Sequence, residues 1–248
     1  MVKMLVLGKF SSGIYNIRLR AVGGNVNSTI YTSQDGVTWT ARSTGLSNGL
    51  AMLAKNDNNT GFVVVDTYNG AAFSKDLKTW TVTKAADGVL NDVLSYANGN
   101  YIIIRRDSTT QYTSTDGINW TNTAVTNPYV RSAVYFKGLY ISQGSVYIYT
   151  SPDGITWTAR SSVATQYMCC NNDICVAVGA SGVILYSTDG ITWTQATSET
   201  TATLYKVSYY NNVFIATGSS GVILYSTDGI TWTQATSGTT DNLAYVNI

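Results

Sequence analysis

The sequence contains no histidine and a single glutamate, Glu199. Without an imidazole there is no Ser-His-Asp triad, no histidine base and no histidine metal ligand. No cofactor or metal site is expected. Charge is also scarce, at 12% of residues against about 25% in ordinary soluble domains. The net charge of +1 leaves no basic excess to neutralise phosphates, which argues against nucleic acid as a partner. No apolar run approaches the ~18 residues of a membrane span, so membrane insertion is not expected. The opening MVKMLVLGKF has an apolar run of only four residues, too short for a signal-peptide core. Classical secretion is therefore not expected, and outside a virion the expected location is cytoplasmic. Proline occurs twice and marks no linker.

Cysteine is odd in number: Cys169, Cys170 and Cys175. No C-x-x-C spacing occurs. Cys170 and Cys175 flank a four-residue turn and can face each other across a hairpin. The favoured expectation is three buried reduced thiols.

What is present is β-forming and hydroxyl-rich. Thr, Ser and Asn make up about a third of the chain, and tyrosine reaches 18. With 44% apolar residues, disorder is not expected. One unit recurs six times: YTSQDGVTWT (31–40), FSKDLKTWT (73–81), YTSTDGINWT (112–121), YTSPDGITWT (149–158) and YSTDGITWT twice (186–194, 225–233). The motif aspartates are Asp35, Asp76, Asp116, Asp153, Asp189 and Asp228, spaced 41, 40, 37, 36 and 39 apart. All six tryptophans (Trp39, Trp80, Trp120, Trp157, Trp193, Trp232) hold one motif position. Residues 181–198 and 220–237 are identical over 18 positions.

Each unit carries about four strand signals. In the sixth they are LYKVSYY (204–210), VFIATG (213–218), VILYS (222–226) and TWTQAT (231–236). Four short strands in about 39 residues is the spacing of a propeller blade. The expected fold is an all-β propeller of six four-stranded blades, seven not being excluded. The blade limits are 1–43, 44–84, 85–124, 125–161, 162–198 and 199–237, with a surplus closing strand at 241–248. That strand locks the ring, begins a truncated seventh blade, or reaches a second copy to make a homo-oligomer. Within the motif, Asp receives backbone N–H groups in a tight turn, Gly supplies positive φ and Trp folds back as an apolar plug. Leu77 replaces the glycine in the second copy, so another turn type is expected there.

The motif resembles the Asp-box, or bacterial neuraminidase, repeat of β-propellers, although Ser33-x-Asp35-Gly36-x-Thr38-Trp39 runs one residue shorter than the usual pattern. The form Ser-x-Asp-Gly-Ile-Thr-Trp-Thr also resembles propeller segments of phage tail fibres and related virion proteins. The resemblance implies a structural role for all six aspartates and tryptophans. It also implies a virion-associated binding module for a cell-surface glycan or receptor, with other virion proteins as further partners. The alternatives are a scaffold or protein-interaction propeller and a divergent sialidase-like glycosidase. The sialidase pattern implies an Arg triad and a Tyr nucleophile with a Glu partner. The only glutamate, Glu199, lies in a connection of small polar residues, and no Arg-Ile-Pro signature occurs. The reading is therefore a binding protein rather than an enzyme.

Units five and six show the plain scaffold, with GASG (179–182) and GSSG (218–221) between their second and third strands. Departures from it nominate the site. These are Arg18 and Arg20 in unit one, Tyr68 and Asn69 in unit two, Arg105, Arg106 and Asp107 in unit three, and Tyr129 and Arg131 in unit four. Arginine gives bidentate recognition of carboxylate or phosphate, and tyrosine and asparagine suit sugar hydroxyls. The expected site is one rim, opposite the Asp-boxes.

Overall fold

A computed structural model describes residues 28–32, 38–58, 60–68, 70–84, 91–105, 109–126, 133–144 and 146–243. For residues 91–93 and 105 it describes the backbone alone. The chain divides into two compact units, Met1–Pro128 and Tyr129–Ile248.

The described residues of the first unit form three antiparallel sheets. Sheet 1 pairs β1 (Thr29–Thr32) with β2 (Thr40–Ser43). Sheet 2 runs in chain order through β3 (Leu50–Lys55), β4 (Phe62–Asp66), β5 (Ala71–Ser74) and β6 (Thr81–Lys84). Sheet 3 does the same with β7 (Asn91–Ala97), β8 (Asn100–Arg105), β9 (Thr110–Ser114) and β10 (Thr121–Ala124). The described residues of the second unit form three more meanders. Sheet 4 is β11 (Val134–Phe136), β12 (Leu139–Gln143), β13 (Ile148–Ser151) and β14 (Thr158–Ser161). Sheet 5 is β15 (Tyr167–Cys170), β16 (Cys175–Val178), β17 (Ile184–Ser187) and β18 (Thr194–Ala196). Sheet 6 is β19 (Leu204–Tyr210), β20 (Val213–Gly218), β21 (Ile223–Ser226) and β22 (Thr233–Ala235). The described helical structure is two three-residue turns, Ala180–Gly182 and Ser219–Gly221.

The second strand of each meander explains its apolar run. Every residue of β4 and β16 is buried, because sheets cover both faces of the strand. In β16 the faces separate by parity. Cys175 and Ala177 pack with Ile141, Ile148 and Met168 toward sheet 4. Val176 and Val178 pack with Leu204, Val207 and Phe214 toward sheet 6. In the first unit, Val63 and Val65 of sheet 2 cluster with Leu94, Tyr101 and Ile103 of sheet 3. The Tyr101 hydroxyl donates to the Gly61 carbonyl at 2.7 Å. The fourth strands each begin with Thr and lie exposed or half-buried, which suits a solvated edge.

Two expectations are corrected. Leu77 does not change the turn. Its N–H donates to Ser74 Oγ at 2.8 Å, as that of Gly117 does to Ser114 Oγ, and its φ is 63°. The left-handed backbone is tolerated because the side chain is buried against Phe62, Leu53 and Trp80. The cysteines are not all reduced. Cys170 and Cys175 face each other in the β15–β16 register and form a disulfide. Cys169 is free, and burial pushes its thiol up to about 12.

Candidate functional site

The motif aspartates at the described turns are committed to backbone. Asp189 Oδ1 receives the N–H groups of Ile191 and Thr192 at 2.7 and 2.8 Å and the Ser187 hydroxyl at 2.9 Å. Asp228, Asp153, Asp116 and Asp76 repeat the pattern. Hydrogen bonds to the ionised form hold the Asp189 and Asp228 carboxyls down at about 2. Four of the tryptophans return Nε1–H to the carbonyl at the glycine or leucine of their own turn at 3.2–3.3 Å. Trp120 donates instead to Thr83 Oγ1 at 3.2 Å. Asp35 lies outside the described residues, and Trp39 lies just before β2. A carboxylate held by two backbone N–H groups is poorly placed to take a proton from a substrate. Glu199 is exposed in a turn with φ of 53°, where the next copy has Gly238 at 72°. Among the described residues no cluster of three or more Cys, Asp or Glu side chains is arranged to hold a metal ion.

Of the nominated rim residues, Arg18, Arg20, Asn69, Arg106, Asp107, Tyr129 and Arg131 lie outside the described residues. Tyr68 lies in the β4–β5 loop and is 42% exposed. Its position is fixed by Asp66, a buried residue the sequence analysis passed over. Asp66 Oδ1 accepts the N–H groups of Tyr68 and Gly70 at 2.9 and 2.7 Å, and Oδ2 accepts Asn48 Nδ2–H at 2.9 Å. Strand register puts Arg105 at the same level. Phe62 pairs with Ser74 and Tyr101 with Ser114, so Asp66 and Arg105 each lie four residues beyond an equivalent pair. The matching residues of sheets 4, 5 and 6 are Gly144, Gly179 and Gly218. The first unit thus replaces glycine by an acid and a base on neighbouring sheets.

The second unit carries a polar constellation that the sequence did not reveal. The residue before each of those glycines is Gln143, Val178 or Thr217. Tyr167 stands opposite Val178 and Lys206 opposite Thr217, so both inner-strand residues lie at one level. A register shift between Leu204 and Lys206, a β-bulge that re-aims the side chain, brings Lys206 Nζ to 4.8 Å over the Tyr167 ring. Burial lowers the Lys206 ammonium from its usual value. Burial, and after it Cys169, pushes the Tyr167 phenol up. The phenol is therefore a neutral donor beside a cation, and its side chain is still 38% exposed. Beside them, Gln143 Nε2–H donates to the Gln166 carbonyl at 2.8 Å. Gln143 Oε1, Thr165 Oγ1 and Thr217 Oγ1 are buried with no hydrogen-bond partner among the described residues. Thr165 occupies the place of Leu204 in the next sheet: a Cβ on Gly179 would meet the preceding Ala164 carbonyl, as one on Gly218 would meet that of Thr203. Two apolar positions of the sheet 5–sheet 6 layer, Val178 and Leu204, are thus polar between sheets 4 and 5. No motif flagged these residues, because their equivalence follows from pairing register.

No protein-family model matches the chain, and no curated protein matches it. Solved structures do. A chain of the mitotic checkpoint complex superposes with a TM-score of 0.72 at 11% identity, over 99% of this chain and 78% of that one. YCF48 bound to a D1 peptide gives 0.68 at 18% identity, over 94% and 81%. The GH74 enzyme of Niastella koreensis gives 0.65 at 19% identity, over 94% of this chain and 38% of the enzyme. The fold is a β-propeller. At these identities the likeness extends to fold alone. The six described sheets are its blades, the first represented by two strands.

Proposed function

We propose that this propeller is a non-catalytic interaction module that binds a segment of a protein partner. The observation that carries the reading is the Lys206–Tyr167 pair. A half-buried ammonium on an exposed aromatic ring, next to a neutral phenol donor, suits a carboxylate-bearing peptide side chain. An anion there would restore the ammonium's ordinary proton affinity. An exposed Tyr on rigid strands loses little entropy on binding. Two structural neighbours support a protein partner, one bound to a D1 peptide and one within a checkpoint complex.

A glycan receptor-binding role on a virion is the second reading. Tyr68 favours it, an exposed ring on a loop held rigid by Asp66 and Asn48, as a sugar face requires. Parallel peptide and glycan arrays separate the two. The first reading expects acidic peptides to bind, with about tenfold loss in Lys206→Met, most affinity kept in Lys206→Arg and weakening in salt. Glycan hits with a silent peptide array, or peptide binding indifferent to Lys206→Met, overturn it.

A further inference from the structure

The layer between sheets 4 and 5 ends differently from the layer between sheets 5 and 6, although the strands around both are equivalent. Between sheets 5 and 6 the rim end is closed by Val178 and Leu204, which share one buried apolar cluster. One layer earlier the same two places hold Gln143 and Thr165. Both are buried, at 6% and 8% exposure. The rest of that layer is apolar, with Ile141, Ile148, Met168 and Ala177 packed together. Two polar side chains therefore stand at the end of a hydrocarbon layer.

Their hydrogen bonding is incomplete. The Gln143 carboxamide is held by Nε2–H donating to the Gln166 carbonyl at 2.8 Å. A carbonyl only accepts, so this bond fixes the amide with its nitrogen toward Gln166 and its oxygen turned away. Gln143 Oε1 then has no hydrogen-bond partner among the described residues, and neither has the hydroxyl of Thr165, the residue before Gln166. A buried acceptor and a buried hydroxyl left unpaired forfeit the hydration they had in the unfolded chain. Folded proteins meet that cost with ordered water.

The two atoms limit what can sit between them. Oε1 only accepts, so the occupant must donate a hydrogen to it, which excludes an anion. A hard cation takes six or more oxygen ligands, carboxylates prominent among them, and this pair offers two neutral oxygens. A water molecule donates to Oε1 and still has a hydrogen or a lone pair for Thr165 Oγ1. Space is made for it by the side chains themselves. Threonine is one heavy atom shorter than the leucine in the equivalent place, and the Gln143 amide is drawn to Gln166 rather than toward Thr165.

We infer that Gln143 and Thr165 bind an internal water that closes the rim end of the sheet 4–sheet 5 layer. It stands where Leu204 closes the next layer, and it ties β12 to the chain entering β15. The site is separate from the Lys206–Tyr167 pair. Tyr167 stands opposite Val178, which faces sheet 6, so that pair lies on the other side of sheet 5.

Thr165→Val keeps the side-chain shape, removes the hydroxyl and so tests the sign of the effect. Loss of a water ligand is expected to lower the melting temperature by roughly 2–4 °C. Loss of an unpaired hydroxyl leaves it unchanged or raises it, and that result overturns the proposal. Gln143→Leu is also expected to lower it. The double variant is expected to lose less than the sum, because both changes strip the same water. Strictly additive losses overturn a shared site. A crystal structure of the full chain is expected to show a water oxygen within hydrogen-bond distance of both Gln143 Oε1 and Thr165 Oγ1, and empty density there overturns the proposal.

Discussion

Leu77 shows how one residue can break a local rule and be retained. A left-handed conformation costs an L-residue about 1–2 kcal/mol. Burying a leucine side chain contributes about 1.5–3 kcal/mol. Leu77 is 2% exposed, so the second term wins. Elsewhere the balance is reversed: a Cβ on Gly117 would meet Phe73 and Val63 at 2.7 Å, leaving no room for a side chain. Leu77→Gly is accordingly expected to destabilise the protein by about 1 kcal/mol, despite restoring the motif residue, as read by the urea midpoint. A more stable variant would show that backbone strain dominates. The sequence identified the strained position from residue identity. It did not show the hydrophobic pocket, which is assembled from Phe62 and Leu53 on preceding strands.

Among the elements, the β15–β16 hairpin is stapled where others rely on turn chemistry. The β7–β8 hairpin uses Asn98 and Gly99, both at positive φ, as a two-residue hairpin prefers. The β15–β16 hairpin turns through Asn171, whose Oδ1 accepts Asp173 and Ile174 N–H groups, and is closed by Cys170–Cys175. A loop this short constrains the unfolded chain by about 2 kcal/mol. Replacing both cysteines by serine is expected to lower unfolding free energy by about that amount in denaturant titrations. Equal stability would assign the hairpin's strength to packing alone. Cys169 sits next to the disulfide, but its thiol, pushed up to about 12, carries almost no thiolate at neutral pH, so it does not drive exchange.

For the whole molecule, the fold was legible and the candidate site only partly so. Repeat spacing and a single tryptophan position announce blades, because both are written in sequence order. The Lys206–Tyr167 pair depends on a bulge that shifts one strand by a residue, and the buried Gln143–Thr165 layer depends on packing between sheets. Neither leaves a pattern along the chain. The summed aspartate turns do give a molecular property. Their folded carboxyls titrate at about 2 for Asp189 and Asp228, against about 3.9 when unfolded. Their stabilisation is therefore present above about pH 4 and is lost as pH falls toward 2. These groups lie near solvent, so each contributes little and the five read as a shared slope. Denaturant midpoints are expected to be level from pH 7 to 5 and to decline below 4. A level profile down to pH 2 would contradict this.

The identical segments of sheets 5 and 6 also set a sorting problem for the folding chain. Strand β16 is offered two copies of the same partner, β17 and β21. Five residues separate it from β17 and 44 from β21. Closing the longer loop costs about 2 kcal/mol more, over a tenfold preference. Side-chain chemistry cannot choose between the two copies, so the chain's own tether acts as the proofreader.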